Sequence, residues 1–165
     1  MAAGDKAFWA DLANAISPPI VRLVQTAAQT GLTSGSAFVL TYGSGSEDVD
    51  SHNMHDPTTN PSRITPTVAG WYEYIVTASF VTPTTHTQLL TGLRKNGANF
   101  PPLVVLRPDA ASAAANSIQA SGRVSVNGTT DYLEHVAQVN GTGTLATNVT
   151  AGFQSIFELK FERPL

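Results

Sequence analysis

Residues 70–81 read GWYEYIVTASFV, and the fold turns on them. Along an extended chain, successive side chains point to opposite faces. The even positions, Tyr72, Tyr74, Val76, Ala78 and Phe80, then form one unbroken apolar face, while Trp71, Glu73, Ile75, Thr77 and Ser79 form a mixed one. The spacing predicts a long strand with one side in a core. Trp71 and Ile75 are too apolar to stand together in bulk water. They are candidate contacts with whatever covers the mixed face: another layer, another subunit, or a loop folded over them.

Working outward, the same alternation recurs. At 118–126, Ile118, Ala120, Gly122, Val124 and Val126 oppose Gln119, Ser121, Arg123 and Ser125. At 131–139, Leu133, His135, Ala137 and Val139 share a face, and at 153–163 Phe153, Ser155, Phe157, Leu159 and Phe161 do. Further strand-like runs lie at 20–28, 37–42, 88–95 and 103–106. Asn96-Gly97, Asn127-Gly128 and Asn140-Gly141 read as turns, since both residue types tolerate positive φ. The expectation is an all-β antiparallel sandwich or barrel of about eight to ten strands. A polar loop from Gly43 to Ser62 is long for a compact domain, and is acceptable where it lies on the surface or carries function.

The N-terminal stretch is different. In DKAFWADLANAI, 5–16, Asp5 is an N-cap candidate, and Phe8, Leu12 and Ile16 recur every four residues with Trp9 beside them. Ser17-Pro18-Pro19 ends the predicted helix. So short a helix is unstable alone in water and needs a surface to pack on. Phe8, Trp9, Leu12 and Ile16 are therefore candidate tether or assembly contacts. The chain divides into a helix and tether segment, 1–34, and a β domain, 35–165.

Composition excludes several classes. Of 165 residues, 42% are hydrophobic and 13% charged, which is not the make-up of a disordered chain. Nine Lys and Arg residues are scattered in a chain of net charge −3, so no basic stripe for nucleic acid forms. With no cysteine there is neither a disulfide nor a thiolate metal site. No apolar run is long enough to insert in a membrane, and the N-terminus lacks the pattern of a secretory signal. The Asn-x-Thr triplets at Asn127, Asn140 and Asn148 accordingly read as local structure rather than glycosylation sites.

Several segments in order carry a resemblance: Gly70-Trp71-Tyr72-Glu73-Tyr74 after ITPTVA, then Leu93-Arg94-Lys95-Asn96-Gly97, then GTTDYLEHV, then the closing FQSIFELKF. Over residues 35–163 the chain resembles the globular head of complement's collagen-tailed recognition subunit and its relatives in the tumour-necrosis-factor superfamily. One departure is that two threonines separate Gly128 from Asp131, which predicts a longer turn. The resemblance implies a ten-stranded jelly roll assembled as a homotrimer. The whole chain also looks like small virion proteins of actinobacterial phages, through DLANAI…PPIVRLVQTA, SEDVDSHNMHDPTTNPSRITPTVAG and the terminal FERPL. That likeness implies a virion protein assembled in the bacterial cytoplasm. Most simply it is a trimeric minor tail or baseplate protein joined to other virion proteins through its N-terminal segment, with exposed loops that meet a host-surface glycan. A capsid decoration or head-fibre trimer is the alternative, and a non-virion carbohydrate-binding module a more distant one.

No catalytic constellation stands out: there is no nucleophile elbow, zinc-protease helix or P-loop. Gly141-Thr142-Gly143-Thr144-Leu145-Ala146 matches a loose dinucleotide fingerprint but joins β segments. The expectation is a non-enzyme without cofactor. His52, His55 and Asp56 form the most chemically suggestive cluster, on a candidate exposed loop. Two imidazoles and a carboxylate suit zinc, yet a Pro- and Thr-rich loop need not bring them together. A hydrogen-bonded lead-in to the next strand is the favoured reading. His135 shares an apolar face and is either a neutral core histidine or a trimer contact near a threefold axis.

Overall fold

The computed structural model describes residues 17–81, 85–106, 116–143 and 145–165. The helix expected over 5–16, with Phe8, Trp9, Leu12 and Ile16, lies outside the described residues. The described residues form ten strands: β1 (Ile20–Val24), β2 (Ala37–Val39), β3 (Glu47–Asp50), β4 (Arg63–Ile64), β5 (Gly70–Phe80), β6 (Thr85–Lys95), β7 (Ala98–Leu106), β8 (Asn116–Val126), β9 (Leu133–Thr142) and β10 (Ile156–Arg163). Every pairing is antiparallel. One sheet runs β3-β1-β10-β5-β8; the other runs β2-β9-β6-β7, with β4 also on β9.

The alternation predicted for GWYEYIVTASFV holds. Tyr72, Tyr74, Val76, Ala78 and Phe80 are buried, opposite Leu89, Leu93, Leu133, Ala137 and Val139 of the second sheet. β5 is paired along its length to β8 on one side and to β10 on the other. Val21, Leu23, Phe157 and Leu159 extend the same layer. Close backbone approach needs glycine at Gly70, where an added Cβ would lie 2.7 Å from the Arg163 backbone carbonyl oxygen.

Four expectations are corrected. Residues 20–34 are not a tether apart from the sandwich: β1 sits inside the first sheet between β3 and β10, because Val21 and Leu23 need its core face. The 43–62 loop is not structureless, since β3 forms within it and pairs with β1. Asn140-Gly141 is not a turn. It lies inside β9 against His86 and Gln88, where β6 carries an irregularity of register. Phe153 does not join the last strand's apolar face; β10 begins at Ile156 after a turn, and Phe153 is left exposed. Asn96-Gly97 is the expected tight hairpin, with φ of 54° and 78° joining β6 to β7.

The longer turn before Asp131 is closed by Asn127. Its Oδ1 accepts the N–H groups of Thr129, Thr130 and Asp131, each at 3.0 Å. Gly128 has φ 70°, and an added Cβ would lie 2.4 Å from the backbone nitrogen of Ala69. Gly128→Ala should therefore lower stability by about 2–4 kcal/mol, combining left-handed strain with overpacking. A urea midpoint within error of the unsubstituted chain would show that this turn relaxes freely.

Candidate functional site

The loop singled out in the sequence is organised around one carboxylate. Asp50, the last residue of β3, accepts the N–H of His52 (3.2 Å) and Met54 (3.0 Å) at Oδ1 and that of His55 (2.9 Å) at Oδ2. The chain thus turns back on itself, and Met54 drops into the core. His55, expected on the exposed loop, is buried instead. Its Nδ1 lies 2.8 Å from Glu47 Oε1, and its Nε2 faces the Pro61 carbonyl at 3.5 Å. An isolated bridge pairs His55 with Ile64.

Asp56 remains exposed. It accepts the N–H groups of Thr59 and Thr58 at 2.9 Å, and these bonds lower its pKa. His52 turns away to Ser51, with Nδ1 2.8 Å from Oγ. The histidines and Asp56 are each committed to a different local bond, and among the described residues no cluster of His, Asp and Glu could hold a metal. The arrangement is the hydrogen-bonded lead-in to β4.

His135 lies in the core, fully buried beside Tyr42 and Phe157, at ring-centroid separations of 6.3 and 6.0 Å. Tyr42 Oη is 2.7 Å from Nδ1 and Thr91 Oγ1 is 2.7 Å from Nε2. With the imidazole hydrogen on Nε2, Tyr42 donates to Nδ1, Nε2–H donates to Thr91, and Thr91 donates to the Val136 carbonyl at 3.3 Å. No member of that chain goes unsatisfied, as a buried network requires. His135 is thus fully buried within the core of the single chain. Burial pushes its pKa down to about 3 and raises that of Tyr42. His86 is also fully buried, and neither ring nitrogen has a protein partner among the described residues; burial lowers its pKa too.

Trp71 and Ile75 fall on the outer face of the first sheet, both half-buried. The Arg163 guanidinium lies 5.6 Å from the Trp71 ring centroid. Register sets Val24 beside Ile156, Ile156 beside Thr77, and Arg22 beside Glu158, which in turn neighbours Ile75. Val24, Ile156 and Ile75 thus make a small apolar row that the sequence showed only in part. The missing signal was the pairing of β1 with β10, which no single-strand pattern contains. Around the row the charges are paired within the chain: Arg22 with Asp48 and Glu158, and Arg123 with Glu162 at 2.9 Å. Near the Asn96-Gly97 hairpin, Asp131 binds Asn96, Lys95 and the Asn127 N–H, which together lower its pKa.

Among solved structures the fold matches the globular domain of zebrafish complement 1qA protein at TM-score 0.54 and 12% identity, over 88% of this chain and 98% of that one. It matches murine APRIL at TM-score 0.57 and 9% identity, over 87% and 98%. No family model matches the sequence, and no curated protein sequence does. At these identities the likeness is one of fold: a jelly roll of the complement 1q and tumour-necrosis-factor kind.

Two outcomes test this geometry. Because a histidine's folded pKa of about 3 lies below its unfolded value near 6.5, stability from His135 is complete above pH 6.5 and is lost as pH falls toward 3. At pH 4.5 the loss from His135 amounts to about 2–3 kcal/mol by this linkage. His135→Leu should flatten the urea midpoint's pH profile while lowering stability at pH 8, where Tyr42 and Thr91 lose a partner. A profile unchanged by the substitution would remove His135 as its source. Separately, Asp50→Ala should cost about 1–3 kcal/mol and raise amide exchange across residues 51–62. Unaltered exchange there would show that Asp50 does not hold the loop.

Proposed function

We propose that this chain is a non-catalytic bacteriophage virion protein, a homotrimer of jelly rolls on the tail or baseplate. The observation that carries the reading is the outer face of the first sheet, β3-β1-β10-β5-β8. There the half-buried row of Val24, Ile156 and Ile75 runs across adjacent strands, bordered by ion pairs closed within one chain. A second copy seated on the row would remove it from water, and depletion of unpaired charge is what the centre of an interface requires.

Three chains around an axis is the assembly implied by the sequence resemblance to the complement 1q and tumour-necrosis-factor jelly rolls, and the shared fold supports it. The particle setting is supported by the resemblance of DLANAI…PPIVRLVQTA and FERPL to phage virion proteins. The segment 1–16 is the natural tether, since Phe8, Trp9, Leu12 and Ile16 require a partner surface.

Mass photometry of the purified chain should give three copies. Ile75→Glu or Ile156→Glu should yield monomers that keep the β circular-dichroism spectrum, since a charge there faces the partner and not the core. A wild-type chain that stays monomeric at micromolar concentration counts against the trimer. Immunogold labelling of particles should mark the tail. Label on the capsid would make the chain a head decoration, and unlabelled particles would remove the virion role.

A further inference from the structure

Three asparagines stand directly before a glycine, Asn96, Asn127 and Asn140, and the fold gives their side chains different surroundings. An asparagine so placed can react with its own chain. The backbone nitrogen of the next residue attacks the side-chain carbonyl carbon and closes a five-membered ring. Glycine, with no Cβ, leaves that nitrogen unhindered. The two groups are neighbours on one chain, so the attack needs no encounter. What then separates the three pairs is how well each setting stabilises the negative charge that collects on Oδ1, and how it helps the amide nitrogen to leave.

Asn127 has both aids. Its Oδ1 gathers the N–H groups of Thr129, Thr130 and Asp131, each at 3.0 Å, and the Thr129 hydroxyl at 3.3 Å. Fixed N–H donors around an oxygen that is about to become charged form an oxyanion hole, because such bonds strengthen as the charge grows. On the leaving side, Nδ2 lies 2.8 Å from Thr130 Oγ1. That hydroxyl accepts a hydrogen in the resting turn. It can give its own once the nitrogen has become an amine with a lone pair. Asn127, Thr129 and Thr130 are exposed, so water reaches the turn.

The other two pairs lack them. Asn96 Oδ1 accepts one N–H, that of Tyr132 at 2.9 Å. Its Nδ2 is held at 2.8 Å by the Asp131 carboxylate, which is paired with Lys95 at 3.0 Å and has no hydrogen to give. Asn140 lies inside β9, where its Oδ1 accepts the Gln138 amide at 3.0 Å and its Nδ2 donates to Gln88 Oε1 at 3.1 Å. There the attacking group is itself engaged, since Gly141 N–H donates to Ser34 Oγ at 3.0 Å.

We propose that Asn127-Gly128 is a site of spontaneous covalent modification, deamidating through a succinimide while the pairs at 96 and 140 are spared. Gly128 N bonds to Asn127 Cγ and gives up its hydrogen to solvent. The Cγ–Nδ2 bond breaks, and the nitrogen leaves as ammonia with a hydrogen passed through Thr130. Water then opens the ring at either carbonyl, leaving aspartate or isoaspartate at 127. One water is consumed and one ammonia released, with no change of oxidation state. Aspartate still accepts the three N–H groups. Isoaspartate lengthens the main chain and takes the acceptor away, so the turn that seats Asp131 loosens. None of this chemistry depends on assembly or on the virion reading.

Peptide mapping by mass spectrometry of the full chain, aged in warm and mildly alkaline buffer, tests it. The mass gain of an amide turned to an acid should accumulate at 127 about fivefold or more faster than at 96 or 140. In concentrated urea all three pairs lose their surroundings, and the rates should converge. Thr130→Val keeps the backbone N–H and removes the hydroxyl. It should slow the reaction at 127 by about threefold or more, leave Asn96 alone, and preserve the circular-dichroism spectrum. A folded-chain rate at 127 no greater than at 96 overturns the proposal. So does a lead that persists in urea, which would belong to local sequence and not to the turn. A rate at 127 that Thr130→Val leaves equal or raises overturns the route through that hydroxyl.

Discussion

The structure depends on a constraint at β5. This strand is hydrogen-bonded along both edges, to β10 and β8, so its backbone is satisfied in the plane of the sheet. Its side chains have only two directions left. Five consecutive even positions are apolar, and they can leave water only if a second sheet closes over them. That second sheet answers with Leu89, Leu93, Leu133, Ala137 and Val139, drawn from β6 and β9. Because β6 and β9 are also paired along most of their lengths, the two central pairs fix the register of everything outside them.

Period-two patterning made this part of the fold readable from the chain alone. The core faces of β5, β9 and the inner part of β10 follow directly from Tyr72 to Phe80, Leu133 to Val139, and Phe157 to Leu159. Patterning failed where local signals competed with tertiary pairing. Asn140-Gly141 carries the strongest hairpin dipeptide yet runs within β9, because β6 supplies partners through His86 and Gln88. β3 has the sequence Glu47-Asp48-Val49-Asp50, which has little strand propensity, and it exists because β1 presents an unpaired edge. Phe153 looked like one more apolar position, but a turn at Thr150 intervenes.

Buried polar groups explain why the loop and His135 were hard to read in advance. A histidine in a sequence gives no sign of its partners. His55 and His135 both end up buried, with different partners. His55 lies against the Glu47 carboxylate and the Pro61 carbonyl. His135 is held between two hydroxyls, a setting that satisfies only the neutral ring. The first fastens the long loop to the body, and the second fixes Tyr42 and Thr91 in the core. The sequence offered both as candidate functional residues because an imidazole suits either role; only the surroundings separate the two.

The outer face of the first sheet poses the remaining physical question: how apolar side chains can be covered without burying a lone charge. Covering one unpaired ion costs several kcal/mol, more than a few aliphatic side chains return. Here Arg22 is shared between Asp48 and Glu158, Arg123 is bound to Glu162, and Glu73 stands opposite Lys160 in register. Each border charge thus has its counter-charge on the same chain. A partner laid on Val24, Ile156 and Ile75 would need to supply no ion of its own, and an identical copy, carrying the same self-neutralised border, meets that condition without further adjustment. A face that demanded a complementary charge would instead select a different protein. The internal closure of these pairs is what would let the proposed trimer cover this sheet without burying a lone charge.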